Sequence, residues 1–230
     1  MNDEVTVTEI PALMVAGGWP IDPAATANMM SHAFRGIEKP LVAYIGTANK
    51  DNPVFFQFMK SLLKKAGAKK VSFLRLAKKH PNLKAARDTL SGADVIFLAG
   101  GEVEDGMKWL KKHNLDSFLK ELYGKGKRFL GVSAGVIMMG SHWVRWEIPN
   151  DDKTSELFDC LAFTPVVFDV HGEREDWVEL KAALKLLGDG TRAYGLPSGS
   201  MISADSSGNL VDLEKKILVF VNEGGNIRIL

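Results

Sequence analysis

The chain has 230 residues, 46% of them hydrophobic and 25% charged, and its 29 basic and 28 acidic side chains leave a net charge of +1. That length can bury a substantial core without staples, and the hydrophobic content excludes a disordered chain. The near-neutral balance excludes an overall field that would steer the protein toward nucleic acid or an anionic membrane, and no apolar run approaches the roughly 20 residues that cross a bilayer.

The opening stretch MNDEVTVTEIPALMVAGG is acidic and lacks the basic and apolar regions of a signal peptide, so a cytoplasmic protein is expected. From there, short β-rich apolar runs alternate with amphipathic segments: ALMVAGG (12 to 18), LVAYIGT (41 to 47), KVSFLRL (70 to 76), DVIFLAGG (94 to 101) and RFLGVSAG (128 to 135). Each reads as a buried strand. Between them, IDPAATANMMSHAF opens with an aspartate cap and a proline, NPVFFQFMKSLLKKAG starts similarly and stops at Gly67, and HPNLKAARDTLSGA and LDSFLKELYGKG share the apolar spacing of helices. Four helical crossovers joining five strands predict an α/β three-layer sandwich, a mostly parallel sheet with helices on both faces. After residue 140 the rhythm changes: SHWVRWEIPNDDKTSELFDC mixes aromatics, turn residues and carboxylates, PVVFDVH reads as a strand and EDWVELKAALKLLG as a helix. The tail from Arg192 is broken by Gly, Ser and Asn into short alternating runs, which predict C-terminal β-hairpins. No repeat or linker divides the chain, so residues 1–230 are expected to form one domain.

The segment GVSAG, residues 131 to 135, matches G-x-S-x-G in the context that gives the pattern meaning, with a strand before it and a helix after it. Ser133 is therefore the candidate nucleophile. A serine hydroxyl needs a base, and His171 ends the strand-like PVVFDV with Gly172 behind it, at the same end of a strand. His32, His80 and His113 read as solvated surface residues, and His142 as a core or loop residue. A carboxylate should orient the imidazole. Glu147, Asp151 and Asp152 lie between the two residues and Asp169 lies beside the base, and sequence does not choose among them. The N–H of Ala134 is one oxyanion donor by geometry, and Gly100 or Gly101 of AGGE could supply the second. The lone Cys160 has no partner for a disulfide, and nothing in the pattern calls for a metal or cofactor.

From about residue 12 to 205 the order of elements resembles the serine peptidases that comprise aspartyl dipeptidase (peptidase E) and cyanophycinase, built on a class I glutamine-amidotransferase-like fold. FLAGGE resembles the family's oxyanion strand end at Gly100 and Gly101, GVSAGV its elbow at Ser133, Ala134 and Gly135, and the 38 residues from Ser133 to His171 its spacing. That spacing disfavours the α/β-hydrolase fold, whose acid and histidine come later. The resemblance implies an acid in the loop after the elbow helix, where Glu147 and Asp151 remain rivals and Asp151 is favoured. It implies a cytoplasmic peptidase acting on short, aspartyl peptides, with Arg145, Glu102 and Arg174 as residues that could meet the substrate. HGERED sets Arg174 among three carboxylates, unlike the arginines with which cyanophycinase reads its polymer. A non-catalytic binder of the same fold, and an esterase or amidase acting on a small metabolite, are the alternatives. Partners are expected to be a small peptide substrate, with no nucleic acid and no membrane. The stretch WVRW and exposed edge strands leave room for a homodimer.

Overall fold

The structure, a computed structural model, describes residues 13–18, 22–148 and 151–230. Residues 1–12 of the opening stretch considered above lie outside the described residues.

The five apolar runs form strands β1 (Leu13–Ala16), β2 (Leu41–Ile45), β3 (Lys70–Leu74), β4 (Val95–Leu98) and β5 (Arg128–Val132). They pair in parallel in the order β1-β5-β4-β2-β3. A parallel sheet is covered on both faces, which is why these runs are almost continuously apolar rather than alternating. Val42, Tyr44, Val95 and Phe97 face one layer of helices, while Ala43, Ile45, Ile96 and Leu98 face the other.

The first layer consists of α1 (Pro23–Ser31) and α2 (Pro53–Lys65). Asp22 caps α1 by accepting the N–H of Ala25 at 2.8 Å, as its sequence predicts, and Asn52 caps α2 through Val54 and Phe55. On α2, Phe56, Met59 and Leu63 recur at helical spacing and are buried, each stabilising the fold by about 1.5–3 kcal/mol. The Phe56 ring stacks on Phe73 and meets Tyr44 edge-on.

The opposite layer holds α3 (Leu83–Gly92), α4 (Val103–Lys112), α5 (Asp116–Gly124) and the short α6 (Ala134–Met139). Here the structure corrects the sequence reading: two helices, not one, join β4 to β5. The missed α4 buries Val103, Met107 and Leu110 at i, i+4 and i+7, with acids in its first turn and lysines in its last.

The segment after α6 forms an antiparallel ribbon, β6 (His142–Trp146) with β7 (Ser155–Asp159). Strand β8 (Val167–Val170) then opens a second sheet, and the tail supplies β9 (Arg192–Leu196), β10 (Met201–Ala204), β11 (Leu210–Glu214), β12 (Leu218–Glu223) and β13 (Asn226–Ile229). The expected hairpins are present as β10–β11, which extends the main sheet beside β1, and β12–β13, which extends the second sheet. Strand β9 is different, because it joins β8 in parallel. Helix α7 (Val178–Leu187) covers this second sheet, with Leu180, Ala183 and Leu184 packed against Val167, Ala193 and Phe220. Among the described residues no helix is long and apolar enough to cross a membrane.

Two histidines assigned to the surface are buried. His32 is 9% exposed and His113 is 6% exposed. The Nε2 of His113 lies 3.1 Å from the carbonyl oxygens of both Leu76 and Lys78, and its ring stacks on Trp109, so it ties the loop after β3 to the end of α4.

Candidate active site

Ser133 stands between β5 and α6 at φ 53°, ψ −128°. A non-glycine residue held there stores roughly 1–3 kcal/mol of strain, which the surroundings must over-determine. They do so from both sides: the N–H of Ser133 donates to Ala16 O at 3.3 Å, and its carbonyl accepts the N–H of Val136 at 2.7 Å. The turn leaves no room for larger neighbours. A β-carbon on Gly135 would lie 2.2 Å from the carbonyl oxygen of Leu98. All six residues of α6 are buried, so the helix that follows Ser133 is fixed on every side.

His171 follows β8 directly and also has a positive φ, 41°. Its N–H donates to Leu196 O at the end of β9 (2.9 Å), and Trp177 packs beneath the turn through the Trp177 N–H to Gly172 O bond (2.9 Å). These contacts bring His171 Nε2 to 2.9 Å from Ser133 Oγ. With Nε2 unprotonated, the serine donates and the imidazole accepts, which is the geometry that general-base activation requires.

The dyad opens into a cavity of about 160 Å³ lined by Gly101, Glu102, Ala134, Trp143, Asp169 and Glu179. Beside it lies a larger cavity of about 730 Å³, whose wall adds Glu173, Arg174, Glu175 and Ser198. Of the expected site residues, Ser133, His171, Ala134, Gly101, Glu102 and Arg174 thus come together. Gly100 sits one step back, where an added β-carbon would lie 3.0 Å from Ser133 Cβ.

The others lie elsewhere. Neither Glu147 nor Asp151 lines either cavity. Asp151 instead accepts the N–H of Lys153 at 3.0 Å within the turn leading to β7. The side chain of Asp152 is not among those described. Arg145 is exposed on β6 and is shared between Glu104, at 3.2 Å, and Glu156 across the ribbon. Both partners are on the surface, and the two glutamates hold its guanidinium pKa above the ordinary value.

One buried and one half-buried carboxylate, Asp169 and Glu179, line the cavity beside the pair. Glu179, in the first turn of α7, accepts the indole N–H of Trp143 at 3.2 Å. Burial raises its pKa, the Trp143 bond opposes this, the charge of Glu102 raises it further, and the positive charge of His171 lowers it. Asp169, 6% exposed, accepts the N–H of Val170 at 2.8 Å. Burial, and then the charge of Glu179, push its carboxyl up to about 7. Trp143 and Glu179 escaped the sequence reading. Trp143 lay in an unrecognised ribbon, and Glu179 looked like one polar position of an amphipathic helix. Cys160 is buried with its thiol pushed up to about 12, so it is unsuited to act as a nucleophile. Among the described residues no group of three or more His, Cys, Asp or Glu side chains forms a metal site.

Compared with known proteins, residues 22–211 match the model of peptidase family S51. No curated protein gives a significant match. Similar solved structures include a peptidase from an acI-B1 Actinobacterium (TM-score 0.63, 16% identity, 95% of this chain and 93% of that one). A second is a putative peptidase E protein from Listeria monocytogenes EGD-e (TM-score 0.64, 16% identity, 89% of this chain and 98% of that one). At that identity the likeness establishes the fold.

Proposed function

The chain belongs to peptidase family S51, and on that premise we propose that it is a serine peptidase of short peptides with Ser133 as nucleophile and His171 as its base. The observation that carries the reading is the 2.9 Å contact between Ser133 Oγ and His171 Nε2 at a strained strand-to-helix turn. In this mechanism Oγ attacks the scissile carbonyl carbon while Nε2 takes the hydroxyl proton. The oxyanion is held by the N–H of Ala134 and by one from the glycine pair. His171 then gives the proton to the leaving amine, and the C–N bond breaks to leave an acyl-serine. A water deprotonated by His171 attacks that ester, and the proton returns to Oγ as the acid product leaves. Glu179 is the carboxylate best placed to stabilise the imidazolium, since the two groups interact electrostatically within one cavity. Asp151 and Glu147, to which the resemblance pointed, line neither cavity.

The charge of the cleft bears on the substrate. Glu102, Asp169, Glu173, Glu175 and Glu179 line it, against Arg174 alone among the lysines and arginines of the described residues. Such a wall attracts a free α-ammonium group or a basic side chain and repels a carboxylate. The aspartyl preference that the resemblance implied is therefore not favoured, and peptides with positive charge near the scissile bond are the better fit. The alternative of a binder without a working dyad predicts Ser133 and His171 well separated, and their 2.9 Å contact speaks against it.

The test is a panel of dipeptides and tripeptides with basic, neutral and acidic residues flanking the bond, run on wild type and Ser133→Ala. Turnover that falls by about 10³-fold or more in the variant is expected. Undiminished turnover would refute the mechanism, and faster cleavage of acidic than of basic members would refute the charge argument.

A further inference from the structure

The short helical turn Thr47–Asn49 follows β2 and ends in Asn49, a residue outside the elbow and outside the catalytic pair. Its side-chain amide is used at both ends: Oδ1 accepts the N–H of Asn52 at 3.1 Å, and Nδ2 donates to the carbonyl of Gly100 at 2.9 Å. The partners fix which end is which, because a backbone N–H can only donate and a carbonyl can only accept. The Gly100–Gly101 peptide is trans, as no cis bond occurs among the described residues. Its C=O and N–H therefore point in opposite directions. With the oxygen tied to Asn49, the N–H of Gly101 is turned away from that turn. Gly101, unlike Gly100, lines the cavity that holds Ser133 and His171.

We infer that Asn49 is a positioning residue that aims the Gly101 N–H at the oxyanion, making Gly101 rather than Gly100 the second donor beside Ala134. The inference rests on the serine-peptidase reading of the site. The glycine pair lacks side chains to resist rotation of its peptide plane, so an untied Gly100–Gly101 unit can turn its carbonyl toward the cleft and repel the developing negative charge. The next residue is clipped independently, by the Glu102 N–H donating to Ala48 O at 2.8 Å. That bond fixes the loop's path but not the orientation of the Gly100–Gly101 plane. Among the described residues only the Asn49 amide reaches that plane's oxygen from a side chain.

The discriminating variant is Asn49→Asp. It keeps an oxygen for Asn52, removes the donor to Gly100 and sets a carboxylate oxygen against that carbonyl, and Asn49→Ala, which adds no charge, should lower kcat similarly. The expected result is a kcat about 10- to 100-fold lower, at or below the lower end of the roughly 10²–10³-fold cost of removing an oxyanion donor because the N–H is misaimed rather than removed, with KM little changed. A peptide boronate, which forms a tetrahedral adduct with the serine, should bind correspondingly more weakly. Asn52→Ala supplies the structural comparison, since it removes the cap of α2 and should lower the melting temperature while kcat stays within about twofold. Asn49→Asp with wild-type kcat, or with a change in KM alone, overturns the inference. So does an equal loss of kcat in Asn52→Ala, which would make the effect one of general stability. Ser133→Ala is assayed beside them. If it retains turnover, the serine-peptidase reading falls and this inference with it, whereas inactive Ser133→Ala beside fully active Asn49→Asp overturns this inference alone.

Discussion

Replacing Asp169 with asparagine should stabilise the protein, and should do so only above mildly acidic pH. The side chain is 6% exposed, and its pKa is raised from 3.8 to about 7 by burial first, then by the charges of Glu179 and Glu175, against backbone N–H bonds from Val170 and Leu180. A carboxyl raised on folding binds its proton more tightly in the native state than in the unfolded chain. Its contribution to stability is therefore fully present below the unfolded pKa and is lost as pH rises through the folded one. At 1.36 kcal/mol for each tenfold change in proton affinity, the loss by pH 8 is on the order of 4 kcal/mol. Asp169→Asn keeps an oxygen for the Val170 N–H and removes the ionisation. The variant should match wild type near pH 4 and be more stable by about 2–4 kcal/mol at pH 8, a rise in melting temperature of roughly 5–10 °C for a chain of this size. Thermal melts of both proteins from pH 4 to 8.5 measure this directly. A difference that does not vary with pH, or a variant less stable at pH 8, would refute the account of Asp169 as a buried ionised group. Because Asp169 lines the cleft, the stabilised variant should also cleave basic peptides more slowly.

Two further substitutions probe the supports of the dyad. Trp143→Phe removes the indole donor to Glu179, which already has a raised pKa, so Glu179 should ionise at still higher pH. The acid limb of the kcat/KM profile should move upward, with a stability cost of about 1 kcal/mol, and an unmoved limb would show that Glu179 does not assist His171. Gly17→Ala would place a β-carbon 2.3 Å from the carbonyl oxygen of Leu196. Relieving that clash should cost about 1–3 kcal/mol and slow fluorophosphonate labelling of Ser133, both measured against wild type.

The two ends of the dyad were legible in the sequence because each is a local event. Ser133 sits in a five-residue pattern at the end of a buried strand, and His171 sits at the end of PVVFDV with a glycine behind it. The parallel sheet was legible for the same reason, through runs whose apolar content is set by burial on both faces. The carboxylate proposed to assist the pair was not. Glu179 is eight residues past His171 on an ordinary-looking helix, and only the packing of α7 on the second sheet brings it into the cavity that His171 also lines. For Arg145, offered by the sequence as a residue that could meet the substrate, the ribbon supplies other partners: once β6 pairs with β7, Glu156 stands directly opposite Arg145 and pairs with its charge. His113 looked polar among lysines, but α4 was unrecognised, and the carbonyls of Leu76 and Lys78 that receive its ring are over thirty residues away.

The Ser133–His171 pair is divided between two sheets, Ser133 at the end of β5 in one and His171 at the end of β8 in the other, so their 2.9 Å contact depends on how the sheets are joined. A short path of backbone contacts makes that join. Ser133 N–H donates to Ala16 O at the end of β1, and the next residue, Gly17, donates to Ser200 O at 3.1 Å and lies against the carbonyls of Leu196 and Pro197. The Leu196 oxygen in turn accepts the N–H of His171. The loop from β9 to β10 is therefore the seam through which the chain passes from the second sheet back to the first. Every link in it is a main-chain hydrogen bond or a close backbone approach, in which the one side chain that matters is the one Gly17 lacks. Both Ser133 and His171 are held at positive φ on either side of this seam, so neither can relax toward an ordinary conformation without breaking a bond to it. The strain at Ser133 and the strain at His171 are thus balanced by the same few backbone contacts. A substitution far from the cleft can then separate the pair without touching either residue.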